Sequence, residues 1–553
     1  MFGTIARQFA ALAALSICNP LVWAATEAPV VETTKGPVAG IDKGEVTEYL
    51  GLPYAAPPVG ELRWRPPTEH APWKKPLDGT KFGPTCAQIT ELALFAGPAN
   101  NTEDCLYLNV FRPHETGTEK LPVIVWIYGG AFVDGESDDY DGSKLATAGR
   151  VIVVSINYRL NLMGFLAHPA LDREGHPFAN YALLDQQAAL HWVRDNIARF
   201  GGDPDNVTVG GQSAGGTSAG FQMISPLAKG LFHRAIIESG ASYLAVTPLK
   251  AAEDKGVAFA VAAGCGDGVD AATASCLRQL PASTVEKLSG TTSSLGPYIT
   301  FGVVDGQIIP SGAASAFASG KFTHVPVMNG STQDEGNFFI ALQEYFSGPP
   351  RTAISDADVT RYVDQVFKGN AGPGGTPPSY PAGTAARVLQ HYPQDGYASP
   401  QLRLDAIETD GMVCRIQHAN HLLAGQVPLY AYEFRDRTAP WFMPEMPGFS
   451  PLAYHTSDIQ YLFPGWHGGD NGVPHDLNSQ QGKLSDELIA AWSNFAWTGN
   501  PNRQGDDPWP AYGTDAKSGT YLSEDVPSLS RFRDDSFTRA HSCDFWKDLL
   551  VYN

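Results

Sequence analysis

Residues 207–216 read Val207-Thr208-Val209-Gly210-Gly211-Gln212-Ser213-Ala214-Gly215-Gly216. The first five, VTVGG, have the character of a short strand, and Ala214 to Met223 that of a helix. Between them Gly211–Gly215 matches G-x-S-x-G. A serine on a sharp strand-to-helix turn needs small neighbours, because the backbone there is strained and crowded. At average glycine and serine frequencies roughly 0.2 chance matches are expected in a chain of this length, so the motif alone says little. The strand before it and the helix after it supply the required context. They make Ser213 a candidate nucleophile rather than part of an ordinary Gly-rich turn.

Other strands lie on both sides of this turn. Val123–Ile127 (VIVWI) and Val151–Asn157 (VIVVSIN) precede it, and Ala235–Ser239 (AIIES) and Val325–Asn329 (VPVMN) follow it. Continuous apolar runs of this length suit strands buried on both faces, the habit of a mostly parallel sheet. Between Tyr181 and Phe200 the period changes, with Leu184, Ala188, Trp192 and Val193 at helical spacing. Leu484, Leu488, Trp492 and Phe495 mark a late amphipathic helix closed by Gly499-Asn500-Pro501. The alternation predicts an α/β fold, a large mostly parallel central sheet flanked by helices with long insertions. Gly/Pro-rich loops occur at Gly369–Thr384 and His467–His475, but strand and helix signals continue past both. Residues 25–553 therefore read as a single large domain.

The composition suits this. Of 553 residues, 43% are hydrophobic and 17% charged, enough for a sizeable core and incompatible with a disordered chain. Thirty-eight Lys and Arg face 58 Asp and Glu, a net charge of -20. Such a chain repels phosphate backbones and anionic bilayers, so no nucleic-acid or membrane-surface partner is expected. Residues 1–24 look like a secretory signal: Arg7 precedes an apolar run from Phe9 to Cys18, and Val22-Trp23-Ala24 forms a cleavage site before Ala25. The run is shorter than the ~20 residues a span requires, and no later stretch could cross a bilayer. The mature chain is expected to be soluble, secreted or periplasmic. Six cysteines remain after the leader, an even number that suggests disulfides among fifteen possible pairings. With no Cys-x-x-Cys and no metal-ligand spacing, no metal is expected. Asn100, Asn206 and Asn329 each begin an N-x-S/T sequon.

A serine nucleophile needs donors for an oxyanion. Tyr128-Gly129-Gly130-Ala131 follows the strand Val123–Ile127, and backbone N–H groups bare of bulky side chains can approach a carbonyl oxygen closely. The amide of Ala214 supplies another donor. The base and the acid stay open at this level. Nine histidines follow Ser213 and carboxylates are plentiful. Asp334-Glu335-Gly336 lies just after a strand and His455 lies in a loop before Ile459–Phe463, but each could equally be a solvated or satisfied polar residue.

From about Val30 to its end the chain resembles the type-B carboxylesterase/cholinesterase family. Phe200-Gly201-Gly202 through Ser213-Ala214-Gly215 is similar to that family's long serine signature, and Glu103-Asp104-Cys105-Leu106-Tyr107-Leu108-Asn109-Val110 to its second. Leu52-Pro53-Tyr54-Ala55 with Pro57-Pro58 and Leu62-Arg63, then Trp126-Ile127-Tyr128-Gly129-Gly130 and Thr498-Gly499-Asn500-Pro501, follow in the expected order. The resemblance implies an α/β-hydrolase fold and a triad of Ser213, Glu335 and His455, the histidine standing shortly before an aromatic strand. It implies oxyanion donors at Gly130, Ala131 and Ala214. It also implies disulfides Cys86–Cys105, Cys265–Cys276 and Cys414–Cys543, and buried ion pairs Arg63–Glu103 and Arg159–Asp185. Two positions depart from the family's habit: Gln212 stands where glutamate is common, and Ala131 where glycine is common. Residues 87–104 carry no tryptophan to receive a choline head, and Phe95 is their only aromatic. The expected activity is cofactor-independent hydrolysis of small-molecule carboxylic esters through an acyl-enzyme on Ser213. Amides, carbamates or lipids are alternative substrates, and a non-catalytic adhesion relative is a third reading that the presence of Ser213 disfavours.

Overall fold

The apolar runs assemble side by side in one sheet. The structure, a computed structural model, describes residues 29–550 apart from 90–94, 96, 98, 115–118, 241–245, 292–293, 296, 368–379, 470, 506–507 and 514–518. The leader expected at 1–24 lies outside these residues, as do most of the loop at 369–384 and several positions of 87–104.

Among the described residues eleven strands form the main sheet. In chain order they are β1 (Ile41–Asp42), β2 (Val46–Pro53), β3 (Tyr107–Pro113), β4 (Leu121–Ile127), β5 (Ile152–Ile156), β6 (Gly202–Gln212), β7 (Arg234–Glu238), β8 (Val327–Thr332), β9 (Leu429–Phe434), β10 (Thr520–Glu524) and β11 (Ser530–Arg533). Across the sheet the order is β11-β10-β9-β8-β7-β6-β4-β5-β3-β2-β1. From β10 to β5 every pairing is parallel, and every residue of β4 and β5 is buried, as expected for strands covered on both faces. Antiparallel strands finish both edges.

The parallel register decides where chemistry can occur. Ile127 pairs with Gly211, Gln212 with Glu238, and Glu238 with Gly330. The carboxyl ends of β4, β6, β7 and β8 thus line one edge, where ligands bind in open α/β sheets. The flanking helices include α1 (Tyr181–Asn196), α2 (Ala214–Ile224), α3 (Gly336–Phe346), α4 (Pro400–Leu423), α5 (Ile459–Leu462) and α6 (Ser479–Thr498). Asn478 and Gln481 close a capping box at the start of α6, and Gly499 ends it in the left-handed conformation.

One expected element differs. Within Ile459–Phe463 there is no strand; Ile459–Leu462 forms the single turn α5. Its four residues are buried on every side, and an apolar run without periodicity does not distinguish a short helix from a strand.

Three disulfides join Cys86 to Cys105, Cys265 to Cys276, and Cys414 to Cys543, with Cα–Cα distances of 4.9, 5.7 and 5.3 Å. Arg63 grips Glu103, and buried Arg159 donates to both Asp185 oxygens at 2.8 and 2.7 Å. Near the last disulfide, buried His541 donates from Nδ1 to Asp410 at 3.1 Å and from Nε2 to Glu433 at 2.6 Å. Asn329 of β8 is fully buried, and its Nδ2 donates to Asn420 Oδ1 of α4 at 2.7 Å. Among the described residues no helix is long and apolar enough to cross a membrane.

Candidate active site

Ser213 follows the last residue of β6 and precedes α2. Its φ of 56° and ψ of -119° fall where an L-residue is strained. Packing enforces the turn: a Cβ on Gly215 would lie 1.8 Å from the Ile127 carbonyl oxygen, and one on Gly211 would lie 2.2 Å from it. Only glycine lets the elbow sit this close to the end of β4. The Ser213 N–H donates to the Glu238 carbonyl at 2.8 Å, tying the elbow to β7 as well.

Glu335 stands three residues beyond β8. Its Oε1 accepts from Ser239 Oγ at 2.6 Å and from the Thr332 N–H at 2.9 Å, while Oε2 meets His455 Nδ1 in a short hydrogen bond. All three side chains are buried. The neighbouring Asp334 has a different task. Arg437 holds it with two hydrogen bonds of 2.8 and 2.7 Å, and Asp334 Oδ2 accepts from the Ala453 N–H at 3.1 Å. Asp334 N–H returns a bond to the Ala453 carbonyl at 3.0 Å. The Asp334–Arg437 pair thereby anchors the loop that carries His455 beside Glu335. The rings of Phe338 and Phe339, from the first turn of α3, lie 5.9 and 5.2 Å from the imidazole.

The loop after β4 brings Gly130 and Ala131 to the same edge. Gly130 has a φ of 105°, and Ala131 and Phe132 follow at 52° and 63°. The Gly130 carbonyl closes the turn by accepting from the Val133 N–H at 2.9 Å. Ala214 is the first residue of α2, so its N–H has no acceptor within the helix.

A family profile described as "Carboxylesterase family" matches residues 27–546. The chain belongs to the carboxylesterase family. This esterase is 33% identical over 551 residues to a medium-chain fatty acyl-CoA hydrolase precursor of Anas platyrhynchos, covering 95% of this chain and 92% of that protein. It is 33% identical to the para-nitrobenzyl esterase of Bacillus subtilis (strain 168), covering 90% of this chain and 95% of that one. A solved structure of a thermophilic PNB esterase superposes with a TM-score of 0.72 at 30% identity, covering 93% of this chain and 99% of that chain. The esterase has the α/β-hydrolase fold and hydrolyses carboxylic esters.

Several residues around the site escaped the sequence reading. Ser239 was visible as the last residue of AIIES, but nothing linked it to a carboxylate far along the chain. Glu238, Asp458 and Glu524 form a buried acidic group near Glu335. Burial pushes each carboxyl up, Asp458 feeling the Glu335 charge as well, Glu238 feeling Asp458, and Glu524 feeling both Asp458 and Glu238. Glu238 also accepts from Trp492 Nε1 at 2.7 Å. Spacing carries no sign of this cluster, because the register of β7 and β10 and the start of α5 create it.

Proposed function

We propose that the protein is a secreted serine esterase that works through an acyl-enzyme on Ser213, with His455 as general base and acid and Glu335 as its orienting carboxylate. The observation that supports this most is the buried Glu335–His455 pair at the sheet edge where the strained Ser213 turn projects. In this reading Ser213 Oγ attacks the ester carbonyl while His455 Nε2 takes its proton. The tetrahedral oxyanion accepts from the N–H groups of Gly130, Ala131 and Ala214. His455 then delivers the proton to the departing alcohol. A water, activated in the same way, releases the acid. Glu335 keeps the other ring proton on Nδ1 and stabilises the imidazolium. Export follows removal of residues 1–24, and residues 25–553 act as one catalytic domain that takes a small-molecule ester.

A fluorophosphonate probe tests the reading directly. It should label Ser213, identified by peptide mass spectrometry, and leave the Ser213→Ala protein unlabelled. Stable labelling on a different residue, or none in a chain that hydrolyses esters, contradicts it.

A further inference from the structure

Gln212 ends β6 and is fully buried. Its Nε2 lies 3.3 Å from His455 Nε2, while its Oε1 is buried without a hydrogen-bond partner. Among the described residues it is this amide, rather than the Ser213 hydroxyl, that meets the second ring nitrogen. The bond to Glu335 keeps a proton on Nδ1, so in the neutral ring Nε2 can only accept. The amide NH2 is the one face of Gln212 that matches it. Once Nε2 has taken a proton it can only donate, and then the Gln212 oxygen is the matching face. A half-turn of the terminal amide exchanges the two.

We propose that Gln212 is a positioning residue for the base, donating to His455 Nε2 in the resting enzyme and presenting its oxygen to the same nitrogen when the imidazolium forms. The proposal rests on the assignment of Ser213 and His455 made above. The substrate-bound Ser213 Oγ–H displaces the amide N–H from the lone pair, and the serine proton moves to Nε2 along the new bond. A carboxylate in place of Gln212 could only accept. It would favour the protonated ring from the outset and withhold the base at mildly acid pH.

Other groups act on the imidazole from each packed element. Glu335 bonds Nδ1, and Asp458, at the start of α5, interacts with the ring charge. Asp458 acts in turn on Glu238 of β7 and Glu524 of β10, while Arg437 holds Asp334 behind Glu335. Phe338 and Phe339 supply uncharged walls. The position of Gln212 is therefore where a single substitution changes the charge beside Nε2.

The test compares pH profiles of wild type, Gln212→Glu and Gln212→Met with a neutral aryl ester. Gln212→Glu should move the acid limb of kcat/KM to higher pH by about one unit, the effect of an opposite charge within contact range of a titrating group. Gln212→Met serves neither protonation state. Its kcat should fall about three- to tenfold, the net value of one hydrogen bond, with KM within about twofold. Thermal melting establishes that each variant is folded, and fluorophosphonate labelling of Ser213 separates the two readings. A chain that hydrolyses esters yet is not labelled at Ser213 fails the triad assignment. A chain labelled normally whose Gln212→Glu limb coincides with wild type overturns the role of Gln212. Wild-type kcat in Gln212→Met overturns it too, whether or not Gln212→Glu folds.

Discussion

At the scale of single residues the site asks three different things of its side chains, and substitutions should separate them. Ser213→Ala and His455→Ala should each reduce kcat by about 10⁴-fold or more without lowering the melting temperature, because in the proposed mechanism the two act as one unit on the ester carbonyl. Glu335→Gln should cost somewhat less, since the ring keeps a partner but loses a charge. Ser239→Ala removes a 2.6 Å donor to Glu335. A hydrogen bond to a charged group is worth about 1.5–3 kcal/mol, so kcat should fall about ten- to a hundredfold while KM stays put. Single-turnover kinetics on a para-nitrophenyl ester would read each value, and a Ser239→Ala enzyme at full rate would remove Ser239 from the account. In the wild type, kcat/KM should decline toward acid pH as the base becomes protonated.

Among the elements, the C-terminal segment is held by one covalent and one ionic fastening. The Cys414–Cys543 bridge spans 129 residues, the longest of the three loops closed. A chain-entropy treatment of a loop of that order assigns it about 4–5 kcal/mol, so Cys414→Ala/Cys543→Ala should lose up to that much in a urea titration. Beside it, burial alone would lower the His541 pKa, but Glu433 and Asp410 outweigh that and raise it from 6.5 to about 10. A raised histidine stabilises fully below its unfolded value and loses that contribution as pH climbs through its folded value. The melting temperature should accordingly fall progressively between about pH 6.5 and pH 10 and level off above that, and His541→Gln should flatten the fall. Differential scanning calorimetry across this range would show it. Neither fastening has a signature in spacing. The parallel strands were legible because covered strands make unbroken apolar runs, and Gly211 and Gly215 were legible because only glycine fits the elbow. The strand β2, next to the edge and with Gly51 and Glu48 inside it, and the single turn α5 lack any such pattern. The proposed carboxylate and base are joined across large separations, 96 residues from Ser239 to Glu335 and 120 from Glu335 to His455, so only the family resemblance singled them out beforehand.

For the whole molecule, a net charge of -20 attracts cations from afar, but salt confines that field to about 8–10 Å. Inside the site Gln212 is neutral, and burial favours the uncharged forms of Glu238, Asp458 and Glu524. Neutral short-chain aryl and alkyl esters should therefore be hydrolysed well, and acetylthiocholine no faster than an uncharged thioester of the same shape. A preference for the cation of tenfold, about 1.4 kcal/mol, would mean that rings such as Phe338 and Phe339 receive it after all. The interior position of Asn329 matters when the protein is made by a foreign cell. In a eukaryotic secretory host the glycan transferase meets the sequon at Asn329 before β8 has entered the sheet. A sugar attached there cannot be accommodated against Asn420, so modified molecules fail to close the sheet between β7 and β9. Asn100 and Asn206, both only partly covered, impose no such penalty. Glycopeptide mapping of the material that such a host releases should find Asn329 bare, and Asn329→Gln is a poor remedy because it enlarges a side chain in a filled interior. Changing Ser331 to alanine abolishes the sequon with less disturbance and should raise the secreted yield.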